Sequence, residues 1–191
     1  MTTVVMWDTR PPTPNTYWTM AATLNQRYAY DHGAAFVWYA PENASTLDGT
    51  GANSVGKTTP SCYLQENTGR GASWCKLLAV HRAMRTSKIV MFVDSDAWFR
   101  NMTSLVREFH TSRHCVWFPS DKPWGYANAA MQLWKSSPKC RRHLRDWWLR
   151  NASCCKHKYE QDAITRSPLT HAFPFDWMRP SNSWNQAVHL Q

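Results

Sequence analysis

The chain contains no run of about 18 apolar residues, so none of its helices is expected to cross a membrane. It shows no secretory signal. No two of its six cysteines stand in C-x-x-C spacing, which argues against a zinc-finger type of frame. Internal repeats are lacking, and so is any linker that would split the chain in two. Acidic residues are few: 13 Asp and Glu stand against 22 Lys and Arg, for a formal net charge of +9. That balance favours anionic partners. No nucleic-acid motif accompanies it, however, and the basic residues are scattered. The one dense cluster is Lys139, Arg141, Arg142, His143 and Arg145, in a segment of helical pattern ending in Trp147-Trp148. A solvated helix face is the expected meaning of that cluster, and no nucleic-acid partner is expected. The absences point to a chain that is soluble by nature or is a luminal piece separated from its anchor.

What is present fits a single domain over 1–191, and 43% hydrophobic residues suffice to bury a core. The 12 tryptophans are mostly expected in that core, with the remainder suited to stacking on sugars. Cys62, Cys75, Cys115, Cys140, Cys154 and Cys155 permit disulfides in an oxidising compartment without fixing any pair. The sequons at Asn43, Asn101 and Asn151 are compatible with a secretory location.

Thr3 to Trp7 reads as a first strand, and Asn15 as the cap of a helix over about Thr16 to His32. Gly33 is placed to stop that helix. Ala35 to Tyr39 reads as a second strand, so the order is strand, helix, strand, the grammar of an α/β fold with parallel strands. Residues 41–72 are loop-like. A helix is expected from about Ser73 to Arg85, a short one over Leu105 to His110, and another over Pro138 to Leu149. Strands are expected over Cys115 to Phe118 and Asn128 to Trp134, and a short helix from Gln161.

Ile89-Val90-Met91-Phe92-Val93 has the content of a buried strand and ends abruptly in Asp94-Ser95-Asp96. In open α/β sheets, ligands bind beyond the carboxyl ends of strands. Residues i and i+2 of an extended segment share a side, so Asp94 and Asp96 are able to face one ligand, unless a turn aims them apart. Close carboxylates repel unless a cation separates them. A hard divalent ion resolves that conflict and neutralises a departing diphosphate. A pair of loop or capping aspartates is the plain alternative.

Trp74-Cys75-Lys76-Leu77-Leu78 followed by Ile89 to Ala97 resembles the centre of the retaining galactosyl-, xylosyl- and α-1,6-mannosyltransferase family. Other segments agree in order: Asn25-x-x-Tyr28-x-x-x-His32-Gly33, Tyr126 to Leu133, Glu160-Gln161-Asp162-Ala163, and Val188-His189-Leu190. Ala130 stands where that family has glycine, which is expected to crowd the backbone near the sugar. The resemblance implies a GT-A-type single α/β domain with a mostly parallel sheet, working in the Golgi or another secretory lumen. It implies a manganese or magnesium ion on Asp94, Asp96 and His189, and a nucleotide-diphosphate sugar held with help from Ser95, Lys76 and Asn128. Gln161 or Asp162 is implied on the β-face of the sugar, a glycan or glycoprotein hydroxyl as acceptor, and retention as the outcome.

Gly51 to Thr58 also fits the P-loop pattern G-x-x-x-x-G-K-[ST], which makes a phosphate-binding NTPase or kinase the competing reading. That pattern works only between a strand and a helix. The expected strand ends at about Ala40, and Pro60 follows Thr58 too closely for a lasting helix. A surface loop is the expected meaning.

Overall fold

The computed structural model describes residues 1–8, 10, 12–39, 72–99, 103–121, 126–149 and 168–174. The strands are β1 (Thr2–Trp7), β2 (Ala35–Tyr39), β3 (Ile89–Asp94), β4 (Val116–Asp121), β5 (Tyr126–Ala127), β6 (Met131–Lys135) and β7 (Thr170–Pro174). The helices are α1 (Tyr17–Asp31), α2 (Cys75–Ala83), α3 (Thr103–Thr111) and α4 (Pro138–Trp148). The strands form one sheet in the order β2-β1-β3-β6-β4-β5, with β7 beside β4. β1 pairs parallel with both β2 and β3, and β4 pairs parallel with β7. β6 runs antiparallel between β3 and β4, and β5 antiparallel to β4. β1, β2, β3, β4 and β7 therefore point the same way, the mostly parallel α/β sheet expected.

Strict alternation divides the core between the two faces of the sheet. Val5, Trp7, Val90, Phe92, Phe118 and Trp134 pack with α2 and α4 on one side. Val4, Met6, Met91, Val93, Met131 and Leu133 pack on the other with Ala22, Tyr28 and Phe109 of α1 and α3. On α4 the buried residues are Cys140, Leu144, Trp147 and Trp148; of the basic cluster Lys139, Arg142 and Arg145 form a solvated face, while Arg141 and His143 are half-buried.

Three expectations change in detail. Asn15 is not the cap of α1: its φ is +62°, a left-handed conformation that asparagine tolerates, and the extended Thr16 precedes the helix instead. Gly33 stops α1 as expected at φ +62°, and a Cβ there would meet nothing within 4 Å, so backbone conformation rather than space calls for glycine. The strand expected over Asn128 to Trp134 begins only at Met131. Asn128 breaks it by accepting the Ala130 N–H on its Oδ1 at 2.8 Å, an Asx turn that competes with the ladder. β7 was not expected at all, since five residues ending in proline carry little strand signal.

The cysteines, left open by sequence, are partly settled. Cys115 at the start of β4 bonds to Cys140 in the first turn of α4, with Cα atoms 5.0 Å apart, and Cys75 is also disulfide-bonded. At a sequence separation of 25, chain-entropy arithmetic assigns the Cys115–Cys140 bond about 3.5 kcal/mol. The double variant Cys115→Ala/Cys140→Ala is expected to lose about that much in chemical denaturation, with a raised m-value because the freed denatured chain exposes more surface. A loss under about 1 kcal/mol would show that the denatured chain is already compact without the bond.

Two histidines make stability depend on pH. Burial lowers the pKa of His81 on α2, helped by Arg85 and Arg141. Burial also lowers that of His114, with His171, Arg113 and Lys135 adding repulsion. A depressed folded pKa means the unfolded chain binds the proton first. Stability is therefore complete above the unfolded value near 6.5 and is lost as pH falls below it. Unfolding temperature is expected to drop between pH 7.5 and 5.0, and His114→Gln to flatten that slope; an equal slope in the variant would count against the assignment.

Candidate functional site

The parallel register sets Trp7 of β1 opposite Asp94 of β3, so Asp8 and the Asp94-Ser95-Asp96 turn emerge at the same carboxyl edge. The β3 strand is buried from Ile89 to Val93, and Asp94, its last residue, is half-buried. A tight turn follows, closed by the Ala97 N–H on the Asp94 carbonyl at 3.1 Å. That turn leaves Asp96 exposed. From the other side the Asp94 N–H donates to the Ala130 carbonyl at 2.8 Å. Ala130 keeps a negative φ, because Asn15 alone among the described non-glycine residues has a positive one. The missing glycine therefore costs no backbone strain here.

Lys76 comes from the first turn of α2, and its side chain is only 7% exposed. A buried ammonium needs a partner, and Asp94 supplies both carboxylate oxygens. Nζ lies 2.9 Å from Oδ1 and 3.0 Å from Oδ2. It also reaches the Ala129 carbonyl at 3.5 Å and sits 5.6 Å from the centre of the Phe92 ring. Lys76, expected on a donor phosphate, thus points into the aspartate turn.

Asp8 and Arg10 form a second charged pair that sequence reasoning overlooked. Arg10 donates from Nε to Oδ1 at 2.8 Å and from a terminal nitrogen to Oδ2 at 2.6 Å, a bidentate clasp. The same nitrogen reaches Ser95 Oγ at 3.2 Å, and the other donates to the Tyr17 hydroxyl at 2.6 Å. The guanidinium lies 4.2 Å from the Trp18 ring centre. Burial alone would raise the Asp8 pKa, but hydrogen bonds from Arg10 and Ser95 outweigh it and hold the carboxyl below its ordinary value. Arg10 is raised in turn, chiefly by its bond to Asp8. Ser95, the middle residue of the D-x-D segment, is thereby tied to the end of β1. The signal was available: Asp8 follows a buried apolar strand just as Asp94 does.

Asn25 holds the same turn from α1. Fully buried, it donates from Nδ2 to the Ala97 carbonyl and accepts the Phe99 N–H on Oδ1, both at 3.0 Å. Tyr28, one turn on, packs against Phe99 and stacks on His32 with centroids 4.1 Å apart. The Asn25-Tyr28-His32-Gly33 segment is a scaffold for residues 97–99. Asn128 is partly buried beside the Asp94 turn, its N–H on the Pro119 carbonyl at 2.7 Å.

The aspartate turn therefore gathers Asp94, Ser95, Asp96, Lys76 and Asn128 around one sheet edge. A glycosyltransferase involved in glycosylation of the major capsid of PBCV-1 matches with a TM-score of 0.61 and 15% identity, over 91% of this chain and 81% of that one. The fold is shared with a glycosyltransferase. Mouse xyloside xylosyltransferase 1 in its apo form matches over 98% of this chain and 93% of that one at 11% identity and a TM-score of 0.48. The galactosyltransferase LgtC, solved with donor and acceptor sugar analogs, matches over 85% and 69% at 15% identity and 0.47. No family model and no curated protein matches the chain.

Gln161, Asp162 and His189 lie outside the described residues, as does the P-loop-like segment Gly51 to Thr58. Among the described residues no three His, Cys, Asp or Glu side chains gather where a metal ion would sit. The hard carboxylate oxygens of Asp94 and Asp96 nevertheless suit a hard divalent cation in kind. No described helix is long and apolar enough to cross a membrane.

Proposed function

We propose that this chain is a metal-dependent glycosyltransferase that moves a hexosyl or pentosyl unit from a nucleotide-diphosphate sugar to a glycan or glycoprotein hydroxyl, with retention. The reading places it with the galactosyl-, xylosyl- and α-1,6-mannosyltransferases. One observation carries it. In a fold shared with a glycosyltransferase, three carboxylates, Asp8, Asp94 and Asp96, meet two bases, Arg10 and Lys76, at the carboxyl edge of β1 and β3. Both bases are paired to carboxylates. The described edge therefore carries a net charge of −1, and a diphosphate approaching it needs a further cation.

Manganese or magnesium, when bound, supplies that positive charge to the leaving diphosphate. Asp96 would hold it, together with Asp94 and, from outside the described residues, His189. Around it the chain's own groups have distinct tasks. Arg10 and Ser95 fix the turn against β1, and Lys76 fixes the Asp94 carboxylate. Asn128 would hydrogen-bond the sugar, while Gln161 or Asp162 would steady the oxocarbenium-like sugar or attack it transiently. The Cys115–Cys140 disulfide supports a secretory lumen such as the Golgi.

Hydrolysis of UDP- and GDP-sugars, with manganese added or chelated, tests the reading. One sugar nucleotide is expected to turn over only with the metal. Hydrolysis of ATP and of none of the sugar nucleotides would instead support the nucleotide-hydrolase reading.

A further inference from the structure

We infer that Lys76 is the resident counter-cation of Asp94 and competes with a divalent ion for that carboxylate, holding ion binding to the donor-free chain weak. The inference rests on the metal-dependent reading above, but it concerns the affinity of the ion and not turnover. A surface lysine meeting an aspartate is a fluctuating pair of little consequence. Lys76 is different on each count. Its side chain is 7% exposed, against 30% for Asp94. Its nitrogen straddles the carboxylate at 2.9 Å and 3.0 Å, so neither oxygen is closer than the other by more than 0.1 Å. The Ala129 carbonyl and the face of Phe92 hold it from further sides. Its backbone belongs to α2, whose residues Cys75 to Val80 are all buried. The ammonium is therefore part of the scaffold rather than a flexible visitor.

A lysine ammonium is a compact point charge. Any cation that binds Asp94 must either displace it or share a carboxylate with it at a few ångströms. In a partly buried site that repulsion is only weakly screened by salt. Arg10 makes no such demand, because its charge is spent on Asp8, just beyond the end of the neighbouring strand β1. The expected arrangement leaves Asp94 shared between Lys76 and the ion, and makes the exposed Asp96 the ligand most open to the ion.

The test is a titration of the protein with manganese, free ion being read by electron paramagnetic resonance at fixed ionic strength, with no nucleotide present. The native chain is compared with Lys76→Gln, Lys76→Met and Lys76→Arg. Removing one full positive charge a few ångströms from the ion is expected to tighten binding about tenfold in the Gln and Met variants. Lys76→Arg, which keeps the charge, is expected to stay near the native affinity. Lys76→Gln/Asp94→Asn is expected to lose the gain. The Gln side chain retains an N–H donor for Asp94, so the comparison stands even if the Met variant fails to fold. Equal, weaker or undetectable binding in a folded neutral variant overturns the inference. So does an equal gain in Lys76→Arg, or a gain that survives Asp94→Asn. Sugar-nucleotide hydrolysis plays no part in the readout, so a failure here is distinct from a failure of the functional reading.

Discussion

Asp96→Asn is expected to cut metal-dependent donor hydrolysis by more than about a hundredfold while leaving the unfolding temperature where it was. The side chain is exposed in the turn after β3, so exchanging a carboxylate for an amide there removes charge without disturbing packing. Asp94→Asn is expected to match it in turnover but not in stability. Its carboxylate is the partner of a lysine that is 7% exposed, and the amide would leave that ammonium buried without its counter-charge. Breaking a buried pair in this way costs about 3 kcal/mol, at the low end because Asp94 itself is partly solvated. Differential scanning calorimetry and a hydrolysis assay on both variants separate the two effects. Full activity in either variant sinks the catalytic assignment of that residue, and equal unfolding temperatures sink the role given to the ion pair.

Asn25→Ala is the second large effect. The substitution leaves the Ala97 carbonyl and the Phe99 N–H buried with their partner gone. Each stranded group costs about 1–3 kcal/mol, so a total near 3 kcal/mol is expected. In a chain of this size that lowers the unfolding temperature by roughly 6–12 °C. Activity should fall as well, by about tenfold, because the residues that leave the aspartate turn lose their anchor on α1. Asn25→Asp keeps the acceptor for Phe99 but sets a carboxylate against the Ala97 carbonyl in a fully buried place, so it should cost at least as much as Asn25→Ala. A melting point within 2 °C of native for Asn25→Ala would mean that water replaces the amide, and the anchoring role would fall.

Those two sites show what sequence could and could not reveal. The apolar run from Ile89 to Val93 and the acids after it are local features, so the strand and its D-x-D end were legible. The alternation of strand and helix from Thr2 to Tyr39 gave the parallel pairing of β1 and β2. Asn25 was visible as a polar residue on the apolar face of α1, but its partners lie 72 and 74 residues away. The Lys76–Asp94 pair joins two elements 18 residues apart, and nothing in either segment announces the contact. Asp8 obeys the same strand-end rule as Asp94. A single aspartate followed by Arg10 and Pro11 carries no D-x-D pattern to mark it. The split before β6 was hidden because an Asx turn depends on where the Asn128 side chain folds back, which strand patterning ignores.

Gln132 adds a constraint on how the site is assembled. It is fully buried in the middle of β6, opposite Phe92, with its amide donating to the Ala129 carbonyl at 2.9 Å and accepting the Trp134 indole N–H at 2.7 Å. A strand slipped by one residue would carry that amide and the Trp134 indole together to the other face of the sheet, and would bring Met131 and Leu133 across in exchange. The two halves of the core are filled by different side chains, so packing penalises the slip. β6 is thus admitted between β3 and β4 in one alignment by the difference between its two faces. In that alignment the Ala130 carbonyl meets the Asp94 N–H, so the geometry of the acidic turn is inherited from side chains that never reach the surface.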